Sequence, residues 1–87
     1  MFYFYGEVSM EIYKNLGGDS GIEAYEFGDD FIKVQFSEGT IYTYTYNSAG
    51  RSNIEHMKTL AMSGNGLNSF INKHVRKKYA SKSRSWI

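Results

Sequence analysis

Basic side chains crowd the second half of this chain of 87 residues, where they could bind an anion. From residue 47 onward, eight Lys or Arg stand against one carboxylate, a formal charge of +7, whereas residues 1–46 carry eight carboxylates against two lysines, a charge of −6. This asymmetry indicates either a basic face for an anionic partner or attraction between the two halves. The candidate nucleic-acid-binding residues are Lys73, Arg76, Lys77, Lys78, Lys82, Arg84 and Tyr46.

Aromatic rings accompany these cations. Tyr79 follows the basic run directly, and Tyr42, Tyr44 and Tyr46 alternate along a stretch upstream. Rings beside cations can stack on the bases of a single-stranded nucleic acid. Large rings on an apolar sheet face are usually buried, however, so we expect the tyrosines to belong mainly to the core. Tyr46, nearest the sheet edge, is the tyrosine that we expect to be most exposed.

Other spacings that resemble catalytic sites lack the partners that catalysis needs. The GGDSG sequence at Gly17–Gly21 resembles the surroundings of the nucleophilic serine in chymotrypsin-like proteases, but His56 and His74 fall on predicted helices without supporting architecture. Asp29 and Asp30 are adjacent acids in a turn, without converging partners. The absence of cysteine excludes disulfides and thiolate metal sites. We therefore expect no enzyme, no cofactor, no metal and no small-molecule substrate.

The elements that must position these residues begin with a β-hairpin. Two alternating apolar runs are joined at Ser37–Gly39. A three-residue turn places Val34 opposite Tyr42 and Ile32 opposite Tyr44, whereas a two-residue turn divides the apolar side chains between both faces. We predict the three-residue turn because it creates a single apolar face.

The whole pattern predicts an α+β domain. Strands over about 22–27, 31–36 and 40–46 form a three-stranded antiparallel meander, and helices over about 53–63 and 67–79 cover its tyrosine face. We expect these helices to turn their apolar sides to the sheet and the basic side chains of the second helix to solvent.

Local signals predict where the helices begin and end. Ser52 and Glu55 have the spacing of a capping box, in which each side chain bonds the backbone N–H of the other residue. Gly64 predicts a left-handed end to the first helix.

The chain divides into three parts. Residues 1–12 are predicted to be an N-terminal extension, of which residues 1–5 either pair with the sheet edge or lie upstream of the domain. Residues 13–79 are predicted to be the folded domain and residues 80–87 a basic mobile tail. Val8–Leu16 fits both a helical and an alternating spacing, and we expect it to be extended because it is short and is followed by two glycines. No apolar run approaches the ~18 residues of a membrane span, and no leader with a cleavage site is visible. We therefore expect a cytoplasmic protein that does not enter membranes.

The run from Tyr13 to Tyr79 resembles the KTSC domain, which is named for its occurrence at the carboxyl terminus of some lysyl-tRNA synthetases. That domain also exists as a stand-alone bacterial protein. The residues that carry the resemblance are Ser20, Tyr25, Ile32-x-Val34-x-Phe36, Gly39, Tyr42-x-Tyr44, Gly64 and the ending LNSFI…VRKKY.

The resemblance implies a small bacterial module without an established activity, for which the synthetase context suggests RNA binding. Together with the basic C-terminal residues, it predicts a non-enzymatic RNA-binding module. The alternative is a protein-interaction or self-assembly module that forms a homo-oligomer. In that case, the acidic strands of one copy meet the basic helix of another.

Overall fold

The computed structural model describes residues 10–18 and 20–84 and shows five antiparallel strands, which lie side by side in chain order. They are β1 Glu11–Ile12, β2 Ile22–Gly28, β3 Phe31–Phe36, β4 Thr40–Thr45 and β5 Ser81–Arg84. The predicted three-stranded meander is therefore wrong, because the sheet has one further strand at each edge. The three central strands lie within one residue of the predicted bounds.

β5 lacks the signal by which strands are recognised in a sequence, and β1 gives only an ambiguous one. β1 has two residues and lies within the stretch 8–16, which was expected to be extended. β5 reads Ser-Lys-Ser-Arg, has no apolar side chain and is exposed throughout, so the same residues predict a mobile tail. Charged side chains are common on edge strands, since they discourage pairing with other chains. Ser81 pairs with Thr43 and Arg84 with Thr40, so these residues belong to the sheet.

The register of the central hairpin is confirmed. Val34 pairs with Tyr42 and Ile32 with Tyr44, as the three-residue turn requires. Gly39 ends this turn with φ 105°, a region that favours glycine, and its N–H donates to the Phe36 carbonyl at 2.9 Å. The apolar side chains of β3 and the tyrosines of β4 thus share one face.

The helical part differs from the prediction at both ends. It comprises α1 Tyr46–Ala49, α2 Arg51–Ser63, α3 Leu67–Phe70 and a π-helical segment, Ile71–Val75, that continues α3. We call residues 67–75 the C-terminal helix. The predicted second helix extended to residue 79, but the helical ladder stops at Val75 and the chain turns back, with the Lys78 N–H donating to the Val75 carbonyl at 2.8 Å.

The capping box that was predicted for α2 lies instead at α1, the short helix before it. Gly50 is the N-cap of α2 and no side chain caps that helix, so the prediction for Ser52 and Glu55 is wrong. The capping box lies at α1, where the side chains of Thr45 and Ser48 each accept a 3.0 Å hydrogen bond from the backbone N–H of the other. This cap ends β4 before Tyr46, which the prediction had placed in the strand. Gly64 ends α2 in the left-handed conformation, as predicted.

The core lies between one face of the sheet and the helices. Its largest fully buried side chains are Ile32, Val34, Tyr44, Ile54, Met57, Leu67 and Val75. Tyr44 is only 1% exposed, which confirms that at least one ring of the tyrosine stripe, Tyr42, Tyr44 and Tyr46, belongs to the core. None of the helices in the described ranges has the length and apolarity that a membrane crossing requires. The predicted extension at residues 1–12 falls outside the described residues, except for its last three.

Candidate nucleic-acid interface

The chain returns to the sheet immediately after the C-terminal helix, and this return builds the candidate site. The Ala80 N–H donates to the Thr43 carbonyl at 2.7 Å, which starts the pairing of β5 with β4. Tyr79, just before this bond, packs its ring on Tyr42 with 4.9 Å between the centroids. Because Tyr42 pairs with Lys82, the strand pairing brings a cation onto the same pair of rings. The Lys82 Nζ lies 5.9 Å from each ring centroid.

A groove opens beside these rings, between β4 and the C-terminal helix, with a volume of about 310 Å³. Its lining combines aromatic and basic side chains: Phe36, Glu38, Tyr42, Tyr44, Ile71, Asn72, Arg76, Lys77 and Tyr79. Phe36 meets Tyr42 edge-to-face with 5.6 Å between the ring centroids, so the sheet side of the groove is largely aromatic. We call this site the basic groove.

The π-helical segment explains why Arg76 and Lys77 reach the groove together with Asn72. Its hydrogen bonds join residues five apart, so side chains four and five positions apart come onto one side. Ile71 and Val75 are buried and fix the segment against the core. Asn72 and the two cations that follow the segment therefore face the groove as a group.

The cations of this region are free of internal ion pairs, with one exception. Lys73, Arg76, Lys77, Lys78 and Lys82 form no ion pair with a described residue. Arg84 makes a loose ion pair with Glu38, at 3.8 Å between exposed side chains. The Glu38 carboxylate is also held by Thr40, whose hydroxyl donates to it at 2.7 Å. Positive charge around the groove is thus mostly available to a ligand.

The structure brings together only some of the predicted site residues. Arg76 and Lys77 line the basic groove, and Lys82 lies over its tyrosines. Arg84 lies at the far end of β5 beside Glu38, and Lys78 is exposed but outside the lining. Arg76, Lys77 and Lys82 therefore meet at the groove, whereas Lys78 and Arg84 lie outside its lining.

Lys73 and Tyr46 lie apart from the groove. Lys73 borders a neighbouring pocket on the other side of the C-terminal helix. Tyr46 lies at the opposite end of β4, where its hydroxyl donates to Glu55 at 2.5 Å. Tyr46 is half-buried, and so is Tyr42. The structure therefore does not distinguish Tyr46 as the most exposed of these tyrosines.

The surroundings of Tyr46 are neutralised internally. Lys58 donates to Glu55 at 2.8 Å and to the Asp29 carbonyl at 2.9 Å, and the Arg51 guanidinium lies 5.8 Å from the Tyr46 ring centroid. The hydrogen bond that the Tyr46 hydroxyl donates to Glu55 raises the pKa of Tyr46. The hydrogen bond from Lys58 lowers the pKa of Glu55. We call these residues the Tyr46 cluster.

Seven residues that line the groove were not among the predicted site residues: Phe36, Glu38, Tyr42, Tyr44, Ile71, Asn72 and Tyr79. Phe36 and Tyr42 lie on the apolar face and carry no mark that separates a groove position from a core position. Asn72 shares the solvent side of the helix with Arg76 and Lys77, and an exposed amide carries no signal of a groove. A basic run followed by Tyr79 was the one signal in the sequence that pointed to this region.

The described residues contain no group of three His, Cys, Asp or Glu side chains that could hold a metal ion. His74, one of the two histidines, lies beside the Phe70 ring with 4.6 Å between their centroids. Comparisons with protein-family models, curated proteins and solved structures find no match for this chain. The resemblance to the KTSC domain therefore stays a prediction from the sequence.

Proposed function

We propose that this protein is a non-enzymatic, cytoplasmic RNA-binding module whose basic groove holds a single-stranded segment. The observation that carries the proposal is the convergence of Arg76, Lys77 and Lys82 on the half-buried rings of Tyr42 and Tyr79. Cations that track a phosphate backbone and rings that stack on bases are the two components of single-strand binding sites. The resemblance to the KTSC domain points in the same direction.

The shape of the groove favours a single strand over a duplex. Its rings are partly covered and lie inside a concave surface, so a base must leave its neighbours to reach them. Bases within a double helix are stacked on each other and present only their edges. The unpaired cations at the rim suit the flexible backbone of a single strand, and most of the affinity should come from the phosphates.

The experiment is a salt series of fluorescence anisotropy with a labelled single-stranded RNA. We expect the double variant Arg76→Glu/Lys77→Glu to lose binding while its melting temperature stays near that of the wild type, because both side chains are exposed. The milder variant Arg76→Gln should flatten the plot of log affinity against log salt by about 0.7 units, the contribution of one phosphate contact in a single strand.

A matched control has the same charge change outside the groove. Arg51 belongs to the Tyr46 cluster, and Lys33 pairs across the sheet with Glu26 and Thr43 on the face opposite the helices. The variant Arg51→Glu/Lys33→Glu should bind RNA within a few-fold of the wild type at moderate salt, since only long-range attraction is lost. Equal loss of binding in the control and in the groove variant would refute the groove as the binding site.

The acidic edge of the sheet favours a second candidate function, self-assembly. A pocket of about 370 Å³ at this edge is lined by Glu11, Tyr25, Glu26, Phe27 and Met62. The Tyr25 and Phe27 rings are stacked with 6.1 Å between centroids, and burial, followed by the Glu11 charge, raises the pKa of Tyr25. Two carboxylates beside two rings suit a Lys or Arg side chain, such as Arg76 of a second copy.

Self-assembly makes a different prediction for the same variants. The groove variant Arg76→Glu/Lys77→Glu should dissociate dimers, and a compensating Glu26→Lys should restore them. Light scattering on the anisotropy samples measures this directly. A protein that is monomeric throughout at high concentration and low salt would exclude the second candidate.

A further inference from the structure

A second concavity lies beside the basic groove, on the other side of the C-terminal helix, with a volume of about 440 Å³. It is lined by polar side chains and glycines, among them Tyr13, Asn15, Asn65, Asn68, Asn72 and Lys73. Its volume falls within the range of small-molecule sites. Asn72 lines both this asparagine pocket and the basic groove, so the two adjoin across the helix.

The chemistry of the asparagine pocket is dominated by uncommitted amides. The side chains of Asn65, Asn68 and Asn72 make no hydrogen bond to another described residue, and each offers one acceptor and two donor hydrogens. Asn15 is different, because its amide oxygen accepts from the Ser20 N–H at 3.2 Å and thereby holds the loop. The three free amides are therefore not needed for the local fold.

Helix formation does not explain why asparagine occupies positions 68 and 72. Asparagine is among the poorer helix formers, because its amide competes for backbone hydrogen bonds. Both positions lie in the C-terminal helix and face the concavity, where Ala or Lys would favour the helix more. A ligand that pairs with amides gives these residues a role that helix formation does not.

The floor of the pocket supplies a buried hydroxyl. Tyr13 is 4% exposed, and its hydroxyl oxygen accepts from the Leu67 N–H at 3.3 Å. This hydroxyl donates no hydrogen bond to a described residue, which leaves its proton available to a group in the pocket. A buried phenol that accepts without donating is half satisfied, and a ligand acceptor would complete it.

The charges of the lining select among polar ligands. Lys73 at the rim is the only charged side chain among the described lining residues. The interior therefore suits a neutral group that has both donors and acceptors, and the rim suits one negative charge. A nucleotide has this division, because its base edge pairs with amides and its phosphate carries the charge.

We infer that the asparagine pocket binds one nucleobase of the RNA strand held in the basic groove, so that the protein prefers certain bases. Asn65, Asn68 and the Tyr13 hydroxyl contact the base edge, and Lys73 contacts its phosphate. Asn72, shared by both sites, lies where the strand passes from one to the other. This inference rests on the proposed function and adds base selectivity to it.

The first test compares short homopolymeric RNAs of adenine, cytosine and uracil at one salt concentration. We expect the wild type to bind the best of them about tenfold or more tightly than the worst, as one amide pair to a base edge discriminates. The double variant Asn65→Ala/Asn68→Ala should reduce this ratio to within about threefold while it keeps the salt slope. The control Asn47→Ala removes an exposed asparagine outside both sites and should change nothing.

The second test separates the pocket from the groove. Free nucleoside 5′-monophosphates are titrated into the isotope-labelled protein, and the side-chain NH₂ signals of Asn65, Asn68 and Asn72 are followed by NMR. Shifts at these signals together with selective RNA binding support the inference. Shifts without RNA binding would make the pocket a site for free nucleotides and would overturn its role in RNA binding. Equal affinity for all homopolymers together with unmoved NH₂ signals overturns the inference and leaves the groove intact. If neither RNA nor nucleotide binds, the proposed function and the inference fall together.

Discussion

Two aromatic–cation clusters lie at opposite ends of β4, and they differ in what balances their positive charge. In the Tyr46 cluster, Glu55 accepts from both the Tyr46 hydroxyl and Lys58, so the charges are satisfied within the fold. At the basic groove, Lys82 lies over Tyr42 and Tyr79 without a carboxylate of its own. Both ends of β4 therefore have cations beside aromatic rings. The groove differs because its positive charge is mostly not paired with a described carboxylate.

The comparison shows that composition alone does not locate a binding surface. Arg51, Lys58 and Tyr46 would read in the sequence as another basic–aromatic patch. Glu55, four residues after Arg51, pairs with Lys58 in that patch, and Lys58 joins α2 to the turn at Asp29. The absence of a nearby acid in the C-terminal helix is therefore more informative than the number of lysines there.

The largest expected effect is on the ring that lies between the two clusters. Tyr44→Ala should cost about 3–5 kcal/mol of stability, because it removes a fully buried aromatic side chain that packs on Tyr42 and Tyr79. Chemical denaturation of the variant and the wild type measures this cost. A loss below about 1 kcal/mol would mean that the ring is at the surface and that the stripe is a binding platform along its whole length.

The next effect distinguishes the clusters by RNA affinity. Tyr79→Leu should weaken binding by about 1–3 kcal/mol, the contribution of one stacked base, while keeping an apolar contact with Tyr42. Tyr46→Leu, the matched change at the other end of β4, should leave affinity unchanged. Anisotropy with the same RNA measures both. Equal losses in the two variants would remove the distinction between the clusters.

The smallest effect is a pH dependence of the Tyr46 cluster. Hydrogen bonds from Lys58 and Tyr46 lower the pKa of Glu55 in the folded state, so its contribution is present above the unfolded pKa of about 4.3 and is lost as the pH falls through the folded value. The variant Glu55→Gln lacks this titration. Melting temperatures should therefore differ more between the variant and wild type near neutral pH than at about pH 3. A constant difference would show that the carboxylate charge does not stabilise the fold.

The sequence predicted the centre of the sheet better than its edges. The register of Val34 with Tyr42 followed from the requirement for a single apolar face, which is a strong constraint on a hairpin. β5 could not be predicted, because an exposed edge strand has no face to bury and Ser-Lys-Ser-Arg therefore lacks alternation. Its pairing depends on the turn after Val75, which the apolar pattern of the C-terminal helix did not reveal.

The basic residues of the candidate site were predicted from the sequence, but the groove beside them was not. Arg76, Lys77 and Lys82 were identified from the basic run, since charge is visible in a sequence. Their convergence on Tyr42 requires both the π-helical segment and the return of the chain as β5. Neither feature follows from hydrophobic periodicity, so Tyr46 was chosen as the aromatic partner instead of Tyr42 and Tyr79.

The most direct test of the basic groove is a map of backbone amide shifts by NMR during titration with a short single-stranded RNA. Binding in the groove predicts concentrated shifts in the C-terminal helix, at Tyr42 and through Tyr79–Arg84, with the Tyr46 cluster and the acidic edge around Tyr25 unmoved. Loss of these shifts in Arg76→Glu/Lys77→Glu would complete the result. Shifts centred on the Tyr46 cluster or the acidic edge, or no shifts at low salt, would contradict RNA binding in the basic groove.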